Sequence, residues 1–272
     1  MAEIPKRRLG RTGLLVSELG LGAMDTPTAA EGPETLTTAL DLGIDFVDTA
    51  REYAGSEFLI GQVVRARGEA GFHIATKTFS HGADNSQRDV DRSLSILGVP
   101  RVSLYQLHDI STPQAWEEVM AEEGALAGLR VAQYRGLVDH VGISSHSDEV
   151  VRRAIERDEF DTVMLEYSAF FPGTSELIDL ASEHDVGVIV MRPLGGSGRT
   201  SAMRGLISEG YGGPLTPAAL LRYVLSHPGV SVAIPGARYP SRIHENVATV
   251  QAYEPMGAAE RRELERAAAE LY

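Results

Sequence analysis

Apolar residues fall along this chain in two alternating rhythms. Eight short, continuous apolar runs rich in β-branched residues recur at intervals: SELGLGAM from Ser17, DFVDTA from Asp45, HIATKT from His73, VSLYQLHD from Val102, HVGISSH from His140, TVMLEYS from Thr162, GVIVMRP from Gly187 and SVAIPGA from Ser231. Runs of this kind suit strands covered on both faces. Between them the apolar positions take a helical period. PETLTTALDLG from Pro33 keeps Leu36, Leu40 and Ile44 on one side, and NSQRDVDRSLSILG from Asn85 turns Val90, Leu94 and Leu97 inward before Gly98 stops it. SDEVVRRAIERD opens on Ser147 as N-cap with acids in its first turn, and SELIDLASEHD is read the same way from Ser175. TPAALLRYVLSHP has Thr216 as cap and Pro217 at the first helical position.

Strict alternation of eight strands with helices predicts a (β/α)8 TIM barrel, with a doubly wound open sheet as the rival. No low-complexity stretch or linker interrupts the pattern, so residues 1–272 read as a single domain. RRLGRTGLLVSELG reads as an N-terminal β-hairpin turning at Thr12-Gly13 and closing the barrel floor. GAAERRELERAAAELY reads as an extra C-terminal helix packed outside.

A net charge of −13 makes nucleic acid and anionic membranes poor partners. Without cysteine there is neither a disulfide nor a thiolate metal site. MAEIPKRRLG lacks the apolar run of a signal peptide, and no segment is long and apolar enough to span a bilayer, so a cytoplasmic monomer is expected. One count changes the picture. Lys and Arg total 25, yet Lys6 and Lys77 are the only lysines. An ammonium with a movable pKa differs physically from a permanently charged guanidinium fork.

A barrel of this kind carries its active site at the carboxyl ends of its strands. The second strand ends near Asp48, with Tyr53 in the loop beyond; the third ends near Lys77 and the fourth at His108. Singly, such residues also cap helices, pack or reach solvent. Together, three successive strand ends bring a carboxylate, a phenol, an ammonium and an imidazole to one place. An ammonium beside a phenol favours phenolate and lowers its pKa, and a carboxylate fixes the ammonium. An imidazole orients a carbonyl oxygen. The set suits carbonyl reduction, which needs a hydride source and so implies a nicotinamide cofactor.

These motifs resemble those of the aldo-keto reductases over essentially the whole chain. GIDFVDTAREYAGSE is similar to that family's second-strand signature, HIATKT to its lysine motif and LYQLHD to its histidine motif. LGRTGLLVSELGLGAM resembles the opening hairpin and first strand, and IPGARYPSRIHENV the cofactor-binding end. The resemblance implies that Tyr53 is the proton donor, that Lys77 lowers its pKa, that Asp48 holds the lysine and that His108 orients the substrate carbonyl. It implies a cofactor, NADP(H) with NAD(H) as the alternative, bound by Ala23, Met24 and Asp48, by Ser144 through the carboxamide, and by Pro193, Leu194 and Gly195 at the pyrophosphate. Ser145, Met164 and Met191 replace the asparagine, glutamine and stacking aromatic often found there. Arg242, Glu245 and Asn246 match positions for the adenosine end. Gly236 and Ala237 stand where a lysine and a serine often hold the 2′-phosphate, with Arg238 as compensation.

The implied activity is NADP(H)-dependent reduction of an aldehyde or ketone, or the reverse oxidation. The rival function is a regulatory or binding protein of the same fold that holds nicotinamide with little turnover. A barrel isomerase or hydrolase is a third reading, and the absence of His-x-His clusters argues against its metal-dependent form. Met24, Tyr53, Phe79, His108 and Ile110 are expected to line the substrate pocket. Short loops after strands one, four and seven, and a chain ending at Tyr272, predict an open, permissive site.

Overall fold

The computed structural model describes residues 3–26 and 31–271. Tyr272, the predicted end of the terminal helix, and residues 27–30 of the loop after the first barrel strand lie outside them. A hairpin of β1 (Lys6–Arg8) and β2 (Leu15–Ser17) opens the chain. Then β3 (Leu21–Gly22), α1 (Glu31–Asp41), β4 (Phe46–Asp48), α2 (Ser56–Arg67), β5 (His73–Thr78), α3 (Ala83–Leu97) and β6 (Val102–Leu107) follow. The second half runs α4 (Pro113–Met120), α5 (Ala125–Tyr134), β7 (Val138–Ser144), α6 (Asp148–Glu156), β8 (Thr162–Glu166), α7 (Ser175–Glu183), β9 (Gly187–Met191) and α8 (Ser197–Ser208). It ends with α9 (Pro217–Leu225), β10 (Val232–Ala233), α10 (Pro240–Ala252) and α11 (Ala258–Glu270).

Strands β3 to β10 form one parallel sheet of eight in sequence order. Parallel bridges Leu19↔Ala233 and Gly22↔Gly236 join its two edges. Backbone N–H donors across that seam reach their carbonyls at 2.8 Å (Gly20 to Ala233) and 3.1 Å (Gly22 to Pro235). The open-sheet rival is thereby excluded, because a closed ring leaves no sheet edge unpaired. Every predicted apolar run contributes its strand.

Local chemistry explains the helix ends. Ser147 and Thr216 accept hydrogen bonds from the N–H groups of Val150 and Ala219, as caps should. Gly98 stops α3 in the left-handed conformation with φ 71°, where a Cβ would be strained. Ser175 is not a cap: Thr174 occupies that position without a side-chain bond, because a short 3₁₀ turn at Pro172–Thr174 leads directly into α7.

Two apolar layers result. Phe46, Ala75, Leu104, Met164, Ile189 and Val232 fill the barrel interior, while a larger core lies between strands and helices. Leu9 and Val16 of the hairpin join the inner layer. The hairpin therefore does close the floor, yet its connection is wider than a two-residue turn. A 3₁₀ segment, Gly10–Thr12, intervenes, and the left-handed residue is Gly13. This loop presses on the start of β9, where a Cβ on Gly10 would lie 2.1 Å from the Gly187 nitrogen.

The hairpin is also tied to the far end of the chain. The Arg7 guanidinium donates to the carbonyls of Leu225, His227 and Val230 at 2.7, 3.1 and 2.9 Å and to the Tyr253 hydroxyl at 2.9 Å. It pairs with buried Glu18 at 2.6 Å. Helix α11 packs on α9, where Tyr223 donates to Glu265 at 2.7 Å and Arg261 lies over the Tyr223 ring. Among the described residues no helix is long and apolar enough to cross a membrane.

Candidate active site

The carboxyl ends of β4, β5 and β6 meet above the barrel interior. Asp48 is the last residue of β4 and Lys77 lies near the end of β5, two strands held in register by Asp48↔Ala75. His108 follows β6, and Tyr53 stands in the loop between β4 and α2. The Lys77 ammonium is fully buried and donates to Asp48 Oδ2 at 2.6 Å, to the Thr49 carbonyl at 2.8 Å and to the Tyr53 hydroxyl at 3.4 Å. The Tyr53 hydroxyl lies 3.5 Å from His108 Nε2. Three donors and three acceptors satisfy the ammonium completely, which is what a buried charge requires.

Burial is the largest influence on Asp48, Lys77 and Tyr53. It raises Asp48, against the opposing pull of Lys77, His108 and a 3.2 Å bond from Gln106 Nε2. It lowers Lys77, against the pull of Asp48. Burial also raises Tyr53 above the ordinary phenol range, helped by the Asp48 and Glu52 carboxylates and opposed by Arg192. This corrects the expectation that Lys77 leaves the phenol unusually acidic. The ammonium pairs with Asp48 at 2.6 Å, and burial, helped by the two carboxylates, sets the net direction at the hydroxyl.

A cavity of about 940 Å³ runs from this cluster across the barrel top. Met24, Asp48, Tyr53, Lys77, Phe79, His108, Ser144, Met164 and Met191 line its inner half. Pro193, Leu194, Gly195, Gly236, Arg238, Arg242 and Asn246 line the rest. Phe79 lies flat on the His108 ring, centroids 4.0 Å apart and planes 9° apart. The Ser144 hydroxyl, at the end of β7, accepts from the Asp109 N–H at 3.0 Å.

Five predicted positions lie elsewhere. Ile110 is wholly buried in the outer core, because the chain after β6 turns inward and its N–H bonds to the Ser144 carbonyl at 2.9 Å. It cannot touch substrate. Ser145 is buried too, its hydroxyl accepting the Ser147 N–H at 3.0 Å in the turn before α6. Ala23 and Ala237 are buried behind the wall, the Ala237 carbonyl accepting from Thr26 Oγ1 at 3.1 Å. Glu245 stands outside the lining and pairs with Arg242 at 2.7 Å and Arg204 at 3.3 Å.

Sequence reasoning missed several lining groups. Glu52 approaches His108 Nδ1 at 3.3 Å. Arg192 and His146 share Glu166 Oε1, the arginine at 2.8 Å. Arg192 also holds φ 50°, and among the described positive-φ residues that are not glycine the others are all Asp. Their signal was weak: Glu52 precedes Tyr53 in a loop, and Arg192 separates the strand from Pro193 as any surface charge could.

The profile of the aldo/keto reductase family matches residues 18–208. The chain belongs to the aldo/keto reductase family. It is an NAD(P)H-dependent oxidoreductase. Among characterised relatives, the L-galactose dehydrogenase of Arabidopsis thaliana is 28% identical, covering 94% of this chain and 91% of the relative. The uncharacterized oxidoreductase YqkF of Bacillus subtilis is 26% identical, covering 91% of each. Aldo-keto reductase AKR11C1 from Bacillus halodurans in its holo form superposes with a TM-score of 0.81 at 25% identity, covering 97% of this reductase and 96% of that chain. A Klebsiella pneumoniae aldo-keto reductase solved with NADPH shares the barrel, with a TM-score of 0.76 at 22% identity, covering 98% of this chain and 95% of that one.

The reductase's cavity fits a dinucleotide on its own terms. Met164, Met191 and Ile234 supply apolar lining. Gly195 and Gly196 both hold φ 86°, opening the backbone just ahead of α8. Arg204, Arg238 and Arg242 also line this cavity.

Proposed function

We propose that this reductase converts an aldehyde or ketone to the alcohol, and runs the reverse oxidation at the same site, as a single-domain monomer using NADP(H). The observation that carries the reading is the contact of one phenol hydroxyl with both a buried ammonium, at 3.4 Å, and an imidazole, at 3.5 Å, at the edge of the cavity. Tyr53 acts as general acid. Because burial keeps its proton firmly bound, it gives that proton up only as the carbonyl oxygen gains negative charge. Lys77 stabilises the phenolate that remains, and Asp48 with the Thr49 carbonyl keeps the ammonium in place. His108 holds the carbonyl oxygen beside Tyr53. A bound nicotinamide supplies or accepts hydride.

Ser144 serves the carboxamide, with Met164 and Met191 as apolar walls. Pro193, Leu194 and Gly195 face the pyrophosphate. Arg242, helped by Arg238, reads the 2′-phosphate, since a guanidinium can bind phosphate through two parallel bonds. Glu245 acts from outside by orienting Arg242, and Asn246 faces the adenosine. Met24 and Phe79, both exposed at the mouth, receive the substrate's apolar part.

The test is NADPH consumption followed by absorbance with a panel of aldehydes, ketones and sugars. Turnover on at least one carbonyl that vanishes in Tyr53→Phe is expected. Tight cofactor binding with no turnover across the panel would instead select the binding-protein reading.

A further inference from the structure

Lys77 projects into the barrel, but its neighbours Thr76 and Thr78 face the opposite side of β5, as alternation along a strand requires. There they meet a polar cluster that the chemistry described so far does not use. Thr76 Oγ1 donates at 2.8 Å to Glu57 Oε1, in the first turn of α2. Thr78 Oγ1 and Ser80 Oγ both donate at 2.6 Å to Asp89 Oδ2, on α3. The second oxygen of each carboxylate turns toward one guanidinium, that of Arg51. Its Nη1 donates to Glu57 Oε2 at 2.7 Å. Its buried Nε lies 3.9 Å from Asp89 Oδ1, an ion-pair contact too long for a hydrogen bond.

Arg51 stands two residues ahead of Tyr53, in the loop of residues 49–55 between β4 and α2. The backbone of this loop follows β5: the Thr49 and Arg51 N–H groups donate to the Ala75 and Lys77 carbonyls at 2.8 and 3.1 Å. On the inner side of the strand the same loop brings the Tyr53 hydroxyl to 3.4 Å from the Lys77 ammonium. On the outer side the guanidinium ties the loop, through Glu57 and Asp89, to the two threonines that flank the lysine. Glu57 is buried and Arg51 mostly so, and a charge in such a place depends on its partner. The loop is thus fastened behind the strand at the same level at which its phenol meets the ammonium in front.

We propose that Arg51 is a positioning residue: its guanidinium, held by Glu57 and Asp89 behind β5, joins the loop that carries Tyr53 to the strand that carries Lys77 and so sets the contact between phenol and ammonium. The effect on turnover rests on the carbonyl-reductase reading; the hold on the loop does not.

The test pairs hydrogen exchange with kinetics. Arg51→Met alone strands the Glu57 charge and endangers folding. It is therefore combined with Glu57→Gln, whose amide oxygen still accepts from Thr76. In this double variant, mass spectrometry of peptides shows the Arg51 and Tyr53 amides exchanging about ten-fold faster or more, a local opening, while β7, β8 and β9 exchange as before. Its kcat falls roughly ten- to a hundred-fold, the scale expected when a reacting group is displaced by about 1 Å, and the NADPH dissociation constant does not change. Arg51→Lys, whose ammonium can keep the single contact with Glu57, retains most of the kcat and of the protection. Unchanged exchange in the loop of the double variant overturns the proposal. So does faster exchange spread evenly over the barrel, which marks a loss of stability alone, and so does an unchanged kcat in an enzyme that reduces a carbonyl. If no form reduces any carbonyl, the functional reading fails, while the exchange rates still decide whether Arg51 holds the loop.

Discussion

At the scale of single residues, the buried ammonium is the most constrained group in the site. Lys77 has no exposed surface and spends its three hydrogens on Asp48, Thr49 and Tyr53. A guanidinium keeps the charge but is larger and planar, with no room for its fork. Lys77→Arg is therefore expected to lose nearly as much turnover as Lys77→Met; near-native activity in the arginine variant would show that charge alone suffices. Tyr53→Phe should lose roughly 10²–10⁴ in single-turnover rate with an unchanged cofactor dissociation constant. Because the Tyr53 phenol lies above its ordinary value, the donor keeps its proton up to at least about pH 10. Any fall in the reduction rate between neutrality and that pH must then come from another group. The meeting of Asp48, Tyr53, Lys77 and His108 was legible in the sequence because each sits at or just beyond a strand end. Glu52 was not, since only the closed barrel shows that His108 Nδ1 faces it. Ile110 was misread because the fragment LYQLHDI does not reveal that the chain turns inward after His108.

At the scale of elements, the hairpin and α10 carry consequences that a list of site residues omits. Leu9 is fully buried among the side chains filling the barrel interior. Leu9→Ala should cost about 2–5 kcal/mol in urea unfolding, as for other buried leucines, whereas a surface hairpin would cost under about 0.5 kcal/mol. The helical period placed α1, α3, α6, α7 and α9 but left α2, α4, α5, α8 and α10 uncalled, and Ser147, Thr216 and Gly98 act as the sequence suggested. Where capping chemistry was absent, as at Thr174 before α7, the boundary slipped. Arg242, in the first turn of α10, lines the cavity and is oriented by both oxygens of Glu245, at 2.7 and 2.9 Å. A hydrogen bond to a charged group contributes about 1.5–3 kcal/mol, so Arg242→Ala should weaken NADPH binding roughly ten- to a hundred-fold at about 1.4 kcal/mol per decade. NADH should change much less. Equal losses in fluorescence titrations of the two cofactors would remove Arg242 from phosphate recognition.

At the scale of the molecule, stability against acid depends on carboxylates held below their ordinary values. For Asp161 burial alone would raise the pKa, but His140 and the Val141 N–H, at 2.9 Å, outweigh it and the net direction is down. Glu166 behaves alike: burial is opposed by His146 and Arg192, and the net direction is again down. A carboxyl whose folded pKa is depressed contributes stability above its unfolded value, near 4, and loses it as pH falls through the folded value. Urea midpoints should therefore fall as pH drops below about 4, and less steeply in Asp161→Asn. An identical slope in the variant would show that other carboxylates govern acid unfolding. The barrel itself was legible from eight apolar runs. The particular pairs that close it were not, because the sequence does not mark Leu19, Gly22, Ala233 and Gly236 as partners.

The Arg7 anchor bears on how the chain is made. Arg7 and Glu18 leave the ribosome more than two hundred positions ahead of the carbonyls of Leu225, His227 and Val230 and of the Tyr253 hydroxyl. Loop closure over such a span is slow and must precede its reward. Throughout synthesis, then, the guanidinium and its carboxylate wait without their partners. Strands β3 to β9 can pair one after another as they appear, but the ring cannot lock until β10 and Gly236 are free to pair with Leu19 and Gly22. A stalled nascent chain ending before Tyr253 should be digested by protease at the hairpin, and one extended past it should resist.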